Sequence, residues 1–419
     1  MRRSPKIQLI LVIAISLLVG YYIGVNKINF EWKNYRPVIT VEGKEPPNEN
    51  ISGDFSRFWD VWQRIERSYY DKTKLDPEKM INGAISGMLG SLEDPFTVYL
   101  PPVQNDNFKQ GLAGQFQGIG AELGLQDQRI TVIAPLNGSP AQKSGVRAGD
   151  AILAVNGTST ANWTLSQAVE KIRGPKGTNV TLSILHKGEN APADIDITRD
   201  TITVESVESW LKPVKDIDRV EVDNKFANER IAYISLSQFG DTTNPGWLDK
   251  VNKLSLELSK NKNVKGLVLD LRNNPGGYLS DAVFIASEFI GQGETVVIEE
   301  GEKGKNELKS NRRGLLLDIP VVVLINKGSA SASEIVAGAL RDHKRAIIIG
   351  ETSFGKGTIQ QAEDLGLGSG LHITIAKWLT PKGEWINEKG ITPDIEVALD
   401  PENIDRDIQL EKAIQELIK

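Results

Sequence analysis

Apolar and polar residues divide the chain into stretches of different period, and the first stretch is almost wholly apolar. Residues 7–25 follow the basic residues Arg2, Arg3 and Lys6. A helix of about 20 apolar residues spans the ~30 Å hydrocarbon core of a bilayer, and basic residues mark its cytoplasmic flank. The pattern predicts an uncleaved transmembrane signal anchor over 1–25, single-pass in the cell membrane, with the rest of the chain periplasmic or extracellular. A cleaved signal peptide is the alternative.

Two stretches of different character follow the apolar run. Residues 26–52 are polar, contain prolines and show little periodicity, which predicts a linker. Residues 53–113 place apolar side chains at helical spacing, which predicts an N-terminal helical region. Its aromatic residues need burial, either in a helical cap on the main fold or in a homodimer interface, and the pattern leaves both open: Phe55, Phe58, Trp59, Trp62 and Tyr69.

Residues 114–200 alternate short β-type runs with glycine turns, which predicts a β-rich module. The string A-x-x-x-G-V-x-x-G-D-x-I-x-x-V-N-G, from Ala141 to Gly157, resembles a bacterial-type PDZ domain. That resemblance implies a groove that binds the C-terminal tails of proteins or peptides.

The predicted groove begins at a glycine-rich turn, whose backbone amides would bind the terminal carboxylate of a substrate. The turn consists of Gly118, Ile119, Gly120 and Ala121, and the alternative is that its glycines only make a tight turn. Arg173, after the second helix of the module, matches a position where the resemblance implies an arginine that ties the loaded PDZ domain to the catalytic core.

After residue 200 the pattern becomes α/β. Three continuous apolar runs are each followed by a glycine-rich segment: Val264–Leu271, Ile319–Asn326 and Ala346–Gly350. Such runs are typical of strands buried on both faces of a sheet, with ligands bound at the loops beyond their C-terminal ends. We therefore expect a core domain over 201–400, followed by a C-terminal helical segment over 401–419.

Composition removes several classes of chemistry. The 419 residues include no cysteine and three histidines, and the net charge is −6. Thiolate catalysis and cysteine-held metals are excluded, no histidine has a metal-ligand spacing, and no basic surface for nucleic acid is indicated. We expect no metal and no cofactor.

The serine-rich segment after the second apolar run is the first candidate for catalysis. Ser331 stands three residues before Glu334, and S-x-x-E is also a capping box, so Ser331 could serve only as a helix cap. A helix N-terminus nevertheless provides free amides for an oxyanion. Because no histidine is well placed in the sequence to act as the base, a buried lysine would have to take that role. Lys356, between two glycines, is the candidate, although it could be a solvated turn residue. The spacing of a nucleotide-binding P-loop is absent there.

Three strings together resemble the C-terminal processing peptidases, which are tail-specific serine proteases with a PDZ domain. They are LDLRNNPGG (269–277), GSASASEI (328–335) and FGKGTIQ (354–360). The resemblance covers residues 50–400 and implies that Ser331 is the nucleophile and Lys356 the general base.

The same resemblance implies three supporting roles. Gln360 would help to hold the lysine amine. The oxyanion would be bound by the amide of Ala332 together with the amide of Gly276 or Gly277. The fold so implied is multidomain: an N-terminal transmembrane helix, a helical N-terminal segment, a β-rich PDZ domain, and an α/β serine protease core of the ClpP/crotonase-like type.

The predicted function is that of a serine endopeptidase that uses a Ser–Lys dyad outside the cytoplasmic membrane. Its expected partners are protein or peptide substrates and, through the N-terminal helix, the membrane. Two alternatives remain. A non-catalytic PDZ-bearing adaptor or chaperone would be expected to have lost Ser331, Lys356 or the flanking glycines, and all are present. A hydrolase of small esters would have no use for a domain that binds peptide tails.

Overall fold

The computed structural model describes residues 15–16, 28–33, 36–41, 55–126, 129–136, 138–398 and 406–419. Within these residues no helix is both long enough and apolar enough to cross a membrane, so the prediction of an N-terminal transmembrane helix is corrected. The longest described helix has 18 residues, Thr243–Lys260, and carries several charged side chains, whereas a span needs about 20 apolar ones. Of the predicted span 7–25, only Ile15 and Ser16 are described, and the remainder lies outside the described residues.

The chain forms two compact units, residues 1–80 and 81–419. In the first, an antiparallel hairpin lies within the segment predicted as a linker, with strands β1 (Ile28–Lys33) and β2 (Arg36–Val41). Helix α1 (Ser56–Ser68) follows it. The aromatic rings predicted on this helix contact one another: Phe58 packs edge-to-face on Trp59, and Trp59 on Trp62. The homodimer interface stays a prediction.

Helix α2 (Pro77–Gly90) leads into the second unit, which contains the other helices. Their bounds are α3 Pro102–Leu112, α4 Pro140–Lys143, α5 Leu165–Ile172, α6 Thr243–Lys260, α7 Leu279–Ala286, α8 Ala332–Asp342 and α9 Ile408–Ile418. Single 3₁₀ turns cover Lys72–Lys74, Val214–Asp216 and Asn224–Phe226.

A β-rich domain is entered and left through a two-stranded antiparallel neck formed by β4 (Gln115–Gly118) and β11 (Asp200–Thr203). Its own sheet has the order β10-β9-β7-β6-β5, with β8 paired to β7. The strands are β5 Ala121–Gln126, β6 Arg129–Pro135, β7 Ala151–Val155, β8 Thr158–Ser159, β9 Asn179–Leu185 and β10 Ala193–Thr198. The predicted Asn-Gly turn joins β7 to β8, with φ of 49° at Asn156 and 74° at Gly157.

One edge of this sheet is formed by β5, and helix α5 packs beside it. The helix begins at a capping box, in which the Thr164 and Gln167 side chains bond each other's backbone amides. An edge strand beside a helix is an arrangement to which an extended peptide can add as a further strand.

The core domain is built on a sheet of order β12-β13-β14-β17-β18-β21, in which only the β12–β13 pair is antiparallel. The strands are β12 Val207–Pro213, β13 Arg230–Leu236, β14 Val264–Asp270, β17 Val321–Ile325, β18 Ala346–Gly350 and β21 Ile395–Glu396. The apolar runs are buried on both faces, as predicted. Leu267 and Leu269 pack on one side with α6, α7 and α8, whereas Val268 packs on the other with α9. Each such side chain contributes about 1.5–3 kcal/mol by leaving water.

A second sheet, of order β16-β15-β20-β19 with β3 on β20, lies in the same unit. Its strands are β3 Val98–Leu100, β15 Thr295–Gly301, β16 Gly304–Lys309, β19 Thr358–Gly366 and β20 Ser369–Leu379. Strand β19 begins directly after the loop that holds Lys356. Residues of this sheet and of the loops that follow β14, β17 and β18 line one cavity.

Candidate active site

Ser331 lies at the N-cap of α8, six residues after β17 ends at Ile325. Its backbone has φ 55° and ψ −113°, a conformation that a non-glycine residue adopts at a cost of about 1–3 kcal/mol. A strained serine between a strand and a helix is typical of nucleophiles that must present their hydroxyl at the end of a sheet. The capping-box reading is also partly correct, because Glu334 accepts a hydrogen bond from the Ser331 amide at 2.7 Å.

Glu334 joins the serine segment to the lysine segment. Its carboxylate is fully buried, and the oxygen that accepts from Ser331 also accepts from the Lys356 amide at 3.0 Å. The other oxygen accepts from the Gly355 amide and the Ser353 hydroxyl, each at 2.6 Å. One carboxylate therefore fixes both backbone segments through charge-assisted hydrogen bonds.

Lys356 is held at both ends of its backbone, since its carbonyl also accepts from the Trp378 indole at 2.8 Å. Its ammonium nitrogen lies 4.9 Å from the centre of the Phe96 ring. Burial lowers the pKa of Lys356, and the carboxylates of Asp94 and Glu334 oppose part of that shift. A lysine with a lowered pKa is more readily present as the neutral amine that a general base requires.

Ser331, Lys356 and Gln360 line one cavity of about 560 Å³. Within the described residues no hydrogen bond joins the Ser331 hydroxyl to the Lys356 ammonium. The Gln360 amide donates to the hydroxyls of Thr358 at 2.9 Å and Thr374 at 3.0 Å, rather than contacting Lys356 through a hydrogen bond. The structure thus brings the three predicted side chains together without connecting them.

The N-P-G-G turn after β14 borders Ser331. A Cβ atom on Gly276, which has φ +96°, would lie 2.8 Å from the Ser331 Cβ and 3.0 Å from the Ala332 nitrogen. The Gly276 amide already donates to the Asn274 side chain at 2.9 Å. The Gly277 amide makes no hydrogen bond among the described residues, so of the two predicted glycines Gly277 is the one free to bind an oxyanion. The Ala332 amide is at the first turn of α8, where amides lack helical acceptors.

Asn274 connects this turn to helix α8. Its carbonyl accepts from the Ala330 amide at 3.0 Å and the Ser333 hydroxyl at 2.8 Å, and its side-chain amide donates to the Leu236 carbonyl at 2.7 Å. The residue is completely buried. These bonds hold the turn and the helix in one register.

The predicted tail-binding turn lies far along the chain, in the β-rich domain. Gly118 ends β4, Ile119 and Gly120 form the turn, and Ala121 begins the edge strand β5. Gly120 has φ +73°, and a Cβ there would come within 2.5 Å of the Ser139 Cβ, so only glycine fits.

Arg173 follows α5, and its guanidinium lies 4.6 Å from the centre of the Phe116 ring in the neck strand β4. Burial lowers the pKa of Arg173. The side chain therefore stacks on the neck that joins the β-rich domain to the core.

Sequence reasoning missed three contributors to this region. Glu334 was interpreted only as a helix cap, and its bonds to the lysine segment depend on a tertiary contact that S-x-x-E spacing does not encode. Phe96 and His372 also line the cavity. The D-P-F-T string at 94–97 could have pointed to an ordered turn, because Asp94 accepts from the Phe96 amide and the Thr97 hydroxyl. Among the described residues no three acidic or histidine side chains come together as a metal site.

Comparisons with known proteins agree with this architecture. The Peptidase family S41 model matches residues 230–397, the PDZ domain model residues 109–185, and the model of the activating protease CtpB N-terminal domain residues 15–102. The carboxy-terminal processing protease CtpA of Bacillus subtilis (strain 168) is 38% identical, over 82% of this chain and 69% of that protein. The carboxy-terminal-processing protease of Bartonella bacilliformis is 40% identical, over 83% of this chain and 76% of that protein.

A solved structure is also similar. The photosystem II D1 C-terminal processing protease is 31% identical and superimposes with a TM-score of 0.51, covering 84% of this chain and 95% of that one. The predicted PDZ domain and serine protease core are thereby confirmed, as is the predicted resemblance. The chain belongs to the carboxy-terminal processing proteases of peptidase family S41 and is a serine protease that carries a PDZ domain.

Proposed function

We propose that this protease is an endopeptidase in which Ser331 and Lys356 form a catalytic dyad, and that it selects proteins by their C-terminal tails. The observation that carries the dyad is the Glu334 carboxylate, which binds the backbone amides of both residues at 2.7 and 3.0 Å. A carboxylate that binds both backbone segments supports the dyad, because a nucleophile and its base must be positioned to within a fraction of an ångström.

In the proposed reaction the neutral Lys356 amine removes the proton from the Ser331 hydroxyl, and the Ser331 oxygen attacks the scissile carbonyl. The amides of Ala332 and Gly277 bind the oxyanion of the tetrahedral intermediate. Lys356 then gives its proton to the leaving amine, and an acyl-enzyme forms. Water, activated by the same amine, hydrolyses the ester and restores both side chains.

The described conformation fits a resting enzyme. The Lys356 nitrogen lies over the Phe96 ring and makes no hydrogen bond to the Ser331 hydroxyl among the described residues. The ring and the Asp94 carboxylate both offset part of the effect of burial, which lowers the pKa of Lys356. We infer that tail binding shifts the population toward a state in which Lys356 leaves Phe96 and approaches Ser331.

The dyad is tested by cleavage of an unfolded protein, with sequencing of the fragments. Ser331→Ala and Lys356→Ala should each lower kcat/KM by several orders of magnitude, and the double variant should lose no more, because the two residues act as a unit. Lys356→Arg should be equally inactive, since a guanidinium keeps its proton. Lys327→Arg, at an exposed lysine of the nucleophile loop, is the control and should retain activity.

Near-normal turnover by Lys356→Ala would refute the dyad. In the wild type kcat/KM should rise as pH increases through the lowered pKa of Lys356, since the base must be neutral. A wild-type chain that binds tails without cutting them would instead favour the adaptor alternative.

Tail recognition is supported by the edge strand β5, the turn at Gly120 and the adjacent helix α5. A peptide with a free apolar C-terminus should be cleaved faster than its C-terminally amidated form. Arg173→Ala should lower turnover of the free-tail peptide more than it weakens binding, because Arg173 stacks on the neck of the domain. Arg147→Ala, at an exposed arginine of the same domain, is the matched control. Equal cleavage of both peptides, unchanged in Arg173→Ala, would leave the PDZ domain as a passive tether.

We also propose that the PDZ and protease domains work outside the cytoplasm. The absence of cysteine supports this, since no thiol is present to be oxidised there. Protease added to intact spheroplasts should digest both domains, and full protection would refute the location.

A further inference from the structure

The cavity beside Ser331 has a wall that is mostly apolar. Its aromatic and aliphatic lining includes Phe96, Val98, Leu100, Phe108, Leu112 and Ile359. A volume of about 560 Å³ is large enough for several side chains of a peptide. One ionisable side chain on this wall, His372, has no part in the proposed chemistry.

His372 is held on the wall by its strand and by a ring contact. It lies in β20, where it pairs with Ala362 of β19 and Val98 of β3. Its imidazole packs edge-to-face on the Phe108 ring, with 4.4 Å between the ring centres. This contact leaves the ring half-buried, so that a change in its charge is felt inside the cavity.

The charge state of His372 depends on what surrounds it. Burial and the charge of Lys356 lower the pKa of His372, so the imidazole is neutral at neutral pH and becomes charged in acid. Other charged or titratable groups near the cavity are Tyr278 on its rim, Asp94 behind Thr374, and the exposed pair of Lys109 with Asp364. These are either engaged with other partners or at the surface, which leaves His372 as the imidazole on the wall that gains charge as the pH falls.

We propose that His372 is a specificity-determining residue: its neutral form favours apolar substrate side chains in the cavity, and its protonated form favours acidic ones. The proposal rests on the catalytic function proposed for Ser331. An imidazolium beside an apolar side chain loses hydration without compensation. The same cation beside a glutamate carboxylate gains an ion pair in a site partly shielded from water.

The test uses one parent peptide with a free apolar C-terminus and a single cleavage site. Each of the two residues flanking the scissile bond is varied in turn as Leu, Gln or Glu. The measured quantity is the ratio of kcat/KM for Glu to kcat/KM for Leu, followed from about pH 8 to about pH 5. The ratio does not depend on the fraction of Lys356 that is neutral, because both peptides are cleaved with the same base.

In the wild type this ratio should rise about tenfold toward acid at one of the two positions. His372→Phe, which retains an aromatic ring against Phe108, should show a ratio that does not change with pH. His372→Lys should show the high, acid-type ratio already at neutral pH. His343→Gln, at a histidine whose ring bonds the Thr295 carbonyl away from the cavity, should behave as wild type.

A wild-type ratio that is flat with pH at both positions overturns the proposal, and so does a pH-dependent ratio that persists in His372→Phe. If one of the two His372 variants does not fold, the other still decides, and a flat wild-type ratio overturns the proposal without any variant. Ser331→Ala should not cleave these peptides. If it cleaved them at the wild-type rate, the dyad would be wrong. That failure differs from a failure of the His372 proposal, because it is seen in the absolute rates and not in the ratio of Glu to Leu.

Discussion

The PDZ groove and the Ser331–Lys356 centre are both proposed to hold an extended peptide, yet they are built in opposite ways. The groove is an open strand edge, β5, beside a helix of eight residues. The catalytic centre is enclosed by buried hydrogen bonds, of which those to Glu334 and Asn274 connect three separate loops. The outer edge of β5 has no neighbouring strand in its sheet, whereas the loops around Ser331 are bonded to one another by Glu334 and Asn274.

The difference follows from what each site must do. A strand edge can accept many tails, because main-chain bonding is independent of sequence. A nucleophile and its base must instead be placed within a fraction of an ångström, which requires over-determined backbone positions. Among the described residues the backbone amides of Ser331 and Lys356 share the Glu334 carboxylate, whereas no hydrogen bond joins their side chains. In the proposed mechanism the lysine side chain is therefore the part that tail binding moves.

The largest expected effect comes from breaking the bridge in the catalytic centre. Glu334→Gln replaces an acceptor of four hydrogen bonds by an amide whose NH₂ group opposes some of the donors. We expect kcat/KM to fall on the order of 100-fold while the chain stays folded below its melting temperature, because the serine and lysine segments lose their common anchor. Glu384→Gln, at a half-exposed carboxylate that pairs with Arg341, is the same change at the surface and should cost little. Equal activities of the two variants would show that Glu334 is no more than a helix cap.

A smaller effect is expected from narrowing the turn of the PDZ groove. Gly120→Ala and Gly138→Ala place the same methyl group at nearly the same backbone angle, φ +73° and +72°. At Gly120 the new Cβ would meet the Ser139 Cβ at 2.5 Å, whereas at Gly138 it meets nothing within 4 Å. Gly120→Ala should lower the ratio of free-tail to amidated-peptide cleavage by about tenfold, as the loss of a few carboxylate hydrogen bonds implies.

Gly138→Ala should leave that ratio unchanged, although both variants carry similar backbone strain. A drop of equal size in both variants would mean that strain in the PDZ domain, rather than its carboxylate-binding turn, controls cleavage.

The smallest effect concerns a pair of side chains, Asn244 of α6 and Asp281 of α7. Asn244 donates to Asp281 Oδ1 at 2.9 Å, and the remaining oxygens of the two side chains, Asn244 Oδ1 and Asp281 Oδ2, are buried without a partner among the described residues. Burial raises the pKa of Asp281, and the nearby Asp241 adds to this. A protonated Asp281 could satisfy both orphan oxygens by donating to Asn244.

The sign of the pH effect follows. The pKa of Asp281 is higher in the folded than in the unfolded chain. The proton on Asp281 therefore stabilises the fold fully at pH values below the unfolded-state pKa, and this stabilisation is lost as the pH rises through the folded-state pKa. In Asp281→Asn the new amide can accept a hydrogen bond from the Asn244 NH₂ group and donate one to Asn244 Oδ1, and neither bond depends on pH. The variant should match wild type in acid and become more stable by about 1 kcal/mol at higher pH, measured by urea unfolding at a series of pH values. A difference that does not change with pH would show that Asp281 carries no extra proton.

Local patterns were sufficient where the chemistry is local. The PDZ string from Ala141 to Gly157 and the strings around Ser331 and Lys356 are short, and each strand or turn in them follows from residue type: β-branched runs, an Asn-Gly turn, a serine before a helix. The doubly buried strands were also predictable, since an uninterrupted apolar run has no polar face to expose. The prediction of an N-terminal transmembrane helix was wrong, because no helix among the described residues is long and apolar enough to cross a membrane. An apolar run in the sequence does not by itself establish a spanning helix.

The sequence by itself determined which residue types can take part: a serine without a histidine partner, a lysine between glycines, a pair of glycines after an apolar strand. Their mutual placement was decided only by the tertiary structure, because it depends on contacts between segments far apart in the chain. A carboxylate at Glu334 reaches the lysine loop, Phe96 lies over Lys356, and the Gly276 amide is used by Asn274 so that Gly277 is left free. None of these distances is encoded in a local spacing, since each arises from how the two sheets and their loops pack around one cavity.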